Sequence, residues 1–203
     1  MKGTLMSAPP AIISDADIAW ELPARGRVGM YCLISAESAI FTIFVVAYLF
    51  YLGKNLTGPV PKDILHAPIF FTVCLLSSSL TIHFAVKSLK SAKVGAFALW
   101  WFLTLALGAI FLAGTAREWR RLIYDEGLTI QTNLFGTTYY SLVGLHAFHV
   151  TVGLLGITTV LLFVLFGYVR QEHAERVDIL ALYWHFVDAV WVVVFTVVYV
   201  IGR

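Results

Sequence analysis

Charge is what this sequence has least of. Asp, Glu, Lys and Arg make up 13% of its 203 residues, about half the share of an ordinary soluble domain. With 60% of residues hydrophobic, there is more apolar surface than one small core could enclose, which excludes a soluble enzyme and a disordered chain. Cysteine is nearly absent. Cys32 and Cys74 both fall inside apolar runs, which excludes a disulfide framework and a Cys-rich metal site. Nor is there a strong excess of one sign: a net charge of +2 gives no basis for nucleic acid as a partner. Residues 1–27 carry Asp15, Asp17 and Glu21 and lack the basic-then-apolar order of a signal peptide. The first apolar segment is therefore expected to stay in the membrane, with 1–27 as a cytoplasmic N-terminal segment and 28–203 as a single transmembrane domain.

Long hydrophobic runs dominate instead. Five can cross about 30 Å of hydrocarbon at about 1.5 Å per residue: 28–52, 68–86, 94–116, 134–169 and 179–201. They are continuously apolar, without the alternation of barrel strands, so the expected fold is all-α, an integral membrane bundle of five transmembrane helices. The fourth run exceeds a simple span and is expected to tilt or protrude. Turn residues Gly58, Pro59 and Pro61 separate the first two runs, and Lys87, Lys90 and Lys93 the next two. A loop over 117–133 with six charges and a short mixed loop over 170–178 follow. Lys and Arg number eight on the N-terminal side against six opposite, which favours a cytoplasmic N-terminus and a C-terminus outside.

An ionisable group at bilayer depth is costly unless paired, so each one is informative. Glu37 lies about 14 Å into the first run by helical rise, flanked by Ser35 and Ser38 hydroxyls placed to donate to it. It is either a proton site or a packed, protonated acid. His83 sits near the end of the second run. His146 and His149, three apart, share a helix face, as do His185 and Asp188 between Trp184 and Trp191. The latter pair either satisfies itself or bridges to a neighbouring helix or subunit. Haem ligation would need histidines on different helices at matching depth. These depths match poorly, which makes interhelical hydrogen bonding the default. Trp100, Trp101, Trp119, Trp184 and Trp191 suit interfacial or lipid contact. Ser77, Ser78 and Ser79 suit close helix packing, and Asn55-Leu56-Thr57 matches a glycosylation sequon.

Three stretches carry a resemblance. Phe135-Gly136-Thr137-Thr138-Tyr139-Tyr140 followed by Gly144-Leu145-His146-Ala147-Phe148-His149-Val150 resembles a signature of subunit III of haem–copper oxidases. So does Tyr183-Trp184-His185-Phe186-Val187-Asp188-Ala189-Val190-Trp191. Ser35-Ala36-Glu37-Ser38-Ala39-Ile40-Phe41 is similar to that family's helix with a buried glutamate, and Glu118-Trp119 also fits. The resemblance runs from about Arg27 to the C-terminus and is to the five-span bacterial type, which lacks the first two helices of longer members and so one wall of their lipid-holding cleft. Val177-Asp178 stands where many members have Phe-Glu, and a paired-histidine position near Val86-Lys87 is lost.

The resemblance implies a non-catalytic subunit of a proton-pumping terminal oxidase that reduces oxygen to water in a bacterial inner membrane. No cofactor is expected on this chain; haem and copper are expected on partner subunits, and structural phospholipid beside it. Implied partners are subunit I directly, subunit II, further respiratory subunits and membrane lipids. Cytochrome c is the favoured electron donor and quinol the alternative. Glu37, His146, His149, His185 and Asp188 carry over by motif, for interhelical and lipid-cleft stabilisation, with Glu37 tuning protons. Competing readings are an accessory protein of nitric oxide reductase, a stand-alone haem b protein and a small transporter.

Overall fold

The computed structural model describes residues 25–54, 61–65 and 67–202; the sequon at 55–57 and most of segment 1–27 lie outside these. The elements are α1 (Arg25–Tyr51), a short α2 (Pro61–Ile64), α3 (Ile69–Lys90), α4 (Val94–Tyr124), α5 (Leu134–Leu165) and α6 (Ala174–Phe195). A 3-10 turn at Gln171–His173 leads into α6, and a π-helical turn at Thr196–Ile201 ends it. Among the described residues, five helices are long and apolar enough to cross a membrane. All six prolines precede Ile69 and none lies inside a long helix, so no span loses a backbone hydrogen bond to a proline.

Four boundaries differ by four residues or more from the sequence expectation. The second span does not stop at 86: α3 continues to Lys90, so Lys87 and Lys90 are helical rather than loop. The third span does not stop at 116: α4 continues to Tyr124, so Arg117 through Arg121 are helical rather than loop. Arg, Glu and Leu are good helix formers, and nothing breaks the chain until Gly127, which takes φ 65°. The fourth run is cut short at Leu165 by a Schellman stop. Gly167 adopts φ 76°, its N–H donates to the Val164 carbonyl (3.0 Å), and the Tyr168 N–H donates to that of Phe163 (2.9 Å). At the other end, the Asn133 side chain caps α5 by accepting from the Gly136 N–H at 2.8 Å. The fifth span starts earlier than 179, at Ala174.

The long helices form a ring in the order α1, α5, α4, α3, α6, and α5 and α6 also touch across it. This divides the bundle into a three-helix side (α1, α5, α6) and a four-helix side (α3, α4, α5, α6). Indoles from α6 fill the four-helix side. Trp184 is 0% and Trp191 1% exposed, which corrects the expectation that they meet lipid or an interface. Trp101 is likewise interior, its Nε1 donating to the Ile157 carbonyl at 2.8 Å. Trp119 is half-buried against Tyr140. Hydropathy cannot separate these cases, because interior and lipid-facing positions of a membrane bundle are both apolar.

Two glycines make room for Trp184. A Cβ on Gly108 would lie 2.9 Å from the indole, and one on Gly153 2.7 Å. Hydroxyls join α3 to α4 through Thr81 and Thr104 (2.8 Å). At the end of the bundle carrying Arg27, Asp178 pairs with both Arg27 (α1) and Lys90 (α3). At the opposite end Arg121 donates to the Ile64 carbonyl at 2.6 Å, tying α2 to α4.

Gly153→Val should therefore lower the chemical-denaturation midpoint of the purified chain, by an overpacking cost of about 1–3 kcal/mol. Gly29→Val, where an added Cβ meets nothing within 4 Å, should leave it unchanged. Equal midpoints for the two variants would contradict this packing.

Candidate functional site

The ionisable side chains inside the bundle form three polar groups that cross between helices, with His146 outside them. On the three-helix side, Glu37 (α1) meets His149 (α5), with Oε2 3.1 Å from Nε2. The other ring nitrogen, Nδ1, lies 2.8 Å from the Leu145 carbonyl. A carbonyl only accepts, so Nδ1 carries a hydrogen. The pair then shares one further proton, either on the Glu37 carboxyl donating to a neutral ring or on an imidazolium donating to a carboxylate. Phe41 closes over the ring at 5.0 Å, and the Tyr183 hydroxyl donates to the His149 carbonyl at 3.2 Å. Ser35 and Ser38 do not serve Glu37, contrary to expectation. They donate to the Tyr31 and Ile34 carbonyls of their own helix (2.9 and 2.7 Å), which is the local bond a helical serine reaches most easily.

His146 shares its helix with His149 but not its role. It stacks on Trp191 at 4.9 Å with Phe111 edge-on at 5.9 Å. Neither ring nitrogen has a hydrogen-bond partner among the described residues.

The second group joins α3 to α6. The two helices run antiparallel, so side chains early in one meet side chains late in the other. Ser79 donates to Asp188, and its Oγ lies 3.0 Å from His185 Nδ1. Of the two arrangements open for His185 and Asp188, the structure shows the bridge to a neighbouring helix, with a serine as its keystone. Trp184 Nε1 donates to Ser78 Oγ at 2.8 Å, and Trp191 Nε1 to Thr72 Oγ1 at 3.2 Å. The serine run thus supplies hydrogen-bond partners as well as small size.

Sequence reasoning missed the third group. Glu118 (α4) accepts from the Tyr199 hydroxyl at 3.0 Å, which lies 3.3 Å from that of Tyr139 (α5). Glu118 stood beyond the expected end of its span, and Tyr139 and Tyr199 are too far apart in sequence for any local pattern to link them. The available signal was Glu118-Trp119 itself.

A crevice of about 620 Å³ opens at the Arg27 end of the bundle. Its walls include Arg27, His83, Lys87, Lys90, Asp178 and His185. Among the described residues, no three His, Cys, Asp or Glu side chains are grouped to hold a metal ion. The arrangement ties helix to helix through polar contacts.

Such a bundle, with paired polar groups inside and an apolar exterior, is that of a multi-pass membrane protein. A family model described as cytochrome c oxidase subunit III matches residues 25–203. The chain is 33% identical over 177 residues, 86% of each chain, to cytochrome c oxidase subunit 3 of Alkalihalophilus pseudofirmus. It is 32% identical over 211 residues, all of each chain, to that of Thermostichus vulcanus. It is 28% identical over 177 residues, again 86% of each, to quinol oxidase subunit 3 of Bacillus subtilis. The chain belongs to the cytochrome c oxidase subunit III family. It is a multi-pass membrane protein and the subunit III of a terminal oxidase, part of a cytochrome c or quinol oxidase complex, associated with other oxidase subunits. These relatives do not favour the nitric oxide reductase, haem b or transporter readings.

Replacing Glu37 tests the first group. Glu37→Leu should cost about 1–3 kcal/mol of stability by leaving His149 Nε2 without a partner. Glu37→Gln, whose amide reaches the same nitrogen, should cost less. Equal losses on thermal unfolding of the two variants would contradict the pairing.

Proposed function

We propose that this chain is the non-catalytic subunit that braces catalytic subunit I of a proton-pumping haem–copper oxidase, carrying no redox centre itself. Haem and copper then reside on partner subunits, with subunit II and further respiratory subunits completing the complex. The observation that carries this reading is where the buried and half-buried acids spend their hydrogen bonds. Glu37, Asp188 and Glu118 each bond a residue on another helix of the same chain, so they fix the bundle's shape and leave its flank apolar. That flank is widest on α1, where Ile43, Val46 and Phe50 are exposed, and it suits a second membrane subunit.

A groove of about 310 Å³ between α1 and α6, lined by Phe41, Val45, Phe186 and Val193 among others, has the apolar character to take a phospholipid acyl chain. Glu37 with His149 holds its shared proton within the three-helix side, where it tunes local charge. Residues 28–203 act as one domain, set in a bacterial inner membrane with the Arg27 end toward the cytoplasm, in line with the Lys and Arg bias. Cytochrome c is the electron donor on this reading, supported by the higher identity to the cytochrome c oxidase relatives (33% and 32%) than to the quinol oxidase relative (28%).

Purification through a tag on this chain in mild detergent should bring down a large subunit with haem absorption bands, bound phospholipid and oxygen uptake driven by cytochrome c. A colourless chain recovered alone, or haem bound to this chain in isolation, would overturn the proposal. Uptake driven by quinol instead would overturn the choice of donor.

A further inference from the structure

We infer that His185, Ser79 and Asp188 form a one-ended proton relay, through which the buried Asp188 carboxyl exchanges protons with water in the crevice at the Arg27 end. The relay goes beyond the bracing role and needs only that this end of the bundle meet water. Three observations carry it.

First, His185 stands in the wall of the crevice, while Asp188 one turn further on is 3% exposed. The crevice volume of about 620 Å³ is many times the roughly 30 Å³ share of one water molecule. His185 Nδ1 is committed to Ser79, which leaves Nε2 for the crevice.

Second, the heavy atoms accept both proton arrangements without moving. With Asp188 ionised, Ser79 O–H donates to Oδ2. The serine has no second hydrogen, so Nδ1–H must donate to Oγ, and Nε2 is bare. A proton added at Nε2 from water drives Nδ1–H onto Oγ and the serine hydrogen onto Oδ2. The result is a neutral carboxyl donating to Ser79, Ser79 donating to Nδ1, and hydrogen on Nε2. One proton has entered and one charge is neutralised. Release runs the same steps backwards and needs no ring flip.

Third, the chain stops there. Asp188 Oδ1 is enclosed with no partner among the described residues. The next polar contact along the α3–α6 seam is Trp191 Nε1 with Thr72, and an indole N–H donates but cannot accept a proton to pass on. The Glu37–His149 pair is built differently. His149 Nδ1 is spent on a backbone carbonyl, so that ring cannot hand a proton through itself.

The charged and titratable groups facing His185 set the conditions for exchange. They are Arg27 and Tyr31 from α1, His83, Lys87 and Lys90 from α3, and Asp178 from α6. Two of the cations are held by Asp178.

Infrared spectroscopy of the purified complex reads the relay directly. A protonated-carboxyl band assigned to Asp188 should vanish in Asp188→Asn and move in Asp188→Glu. On transfer to heavy water it should shift quickly in the parent and about a hundredfold more slowly in Ser79→Ala and His185→Phe. Ser79→Thr, which keeps the hydroxyl, should restore the parent rate, an outcome a merely structural serine would not give. Unchanged exchange in both Ser79→Ala and His185→Phe, or no Asp188-dependent band at any pH, would overturn the relay. Recovery of the large subunit with each variant separates that failure from failure of the bracing role.

Discussion

Hydrocarbon offers no hydrogen-bond partner, and the rest of this structure follows from that constraint. A polar side chain in a membrane span is costly unless it finds its partner on a neighbouring helix or on its own backbone. Here α6 meets that demand along its length. Trp184, Asp188, His185 and Trp191 reach α3 through Ser78, Ser79 and Thr72, and Tyr183 reaches α5. These contacts have direction, so they fix the rotation and depth of α6, which undirected apolar packing would leave loose. Net gains from such bonds are modest, about 0.6 kcal/mol on average in a measured membrane bundle, and their weight here comes from number and alignment.

Shape complementarity does the remaining work. Large rings on α6 need space, and Gly108 and Gly153 provide it on the two facing helices. His146 uses its ring as another aromatic, packed between Trp191, Phe111 and Phe41. The same residue type is thus a packing element at 146, a proton-sharing partner at 149 and a crevice-lining group at 185.

Much of the fold was legible in the sequence, because a helix that spans lipid must be apolar for its whole length. The five runs and the existence of their breaks at 53–68 and 87–93 needed nothing more, although the helix before the second break runs on to Lys90. Charge does not by itself separate loop from helix, so the third span ends later than its apolar run: Arg117 to Arg121 continue the helix as a polar extension. At the site, the spacings of His146 with His149 and His185 with Asp188 placed each pair on one face, but partners lay 112 residues away for Glu37 and 109 for Asp188. Local spacing carries no information at that range. The tryptophans were misread for a related reason, since hydropathy does not tell inward from outward.

The account rests on polar coupling between α3 and α6 more than on any single residue. Its most direct test is a double-mutant cycle on the stability of the purified chain, combining Ser79→Ala with Asp188→Leu. The structure predicts losses that fail to add, with a coupling of about 0.5–3 kcal/mol, as for residues within one hydrogen-bond network. Strict additivity would show that the two side chains do not support each other, and would contradict the central role given to that seam.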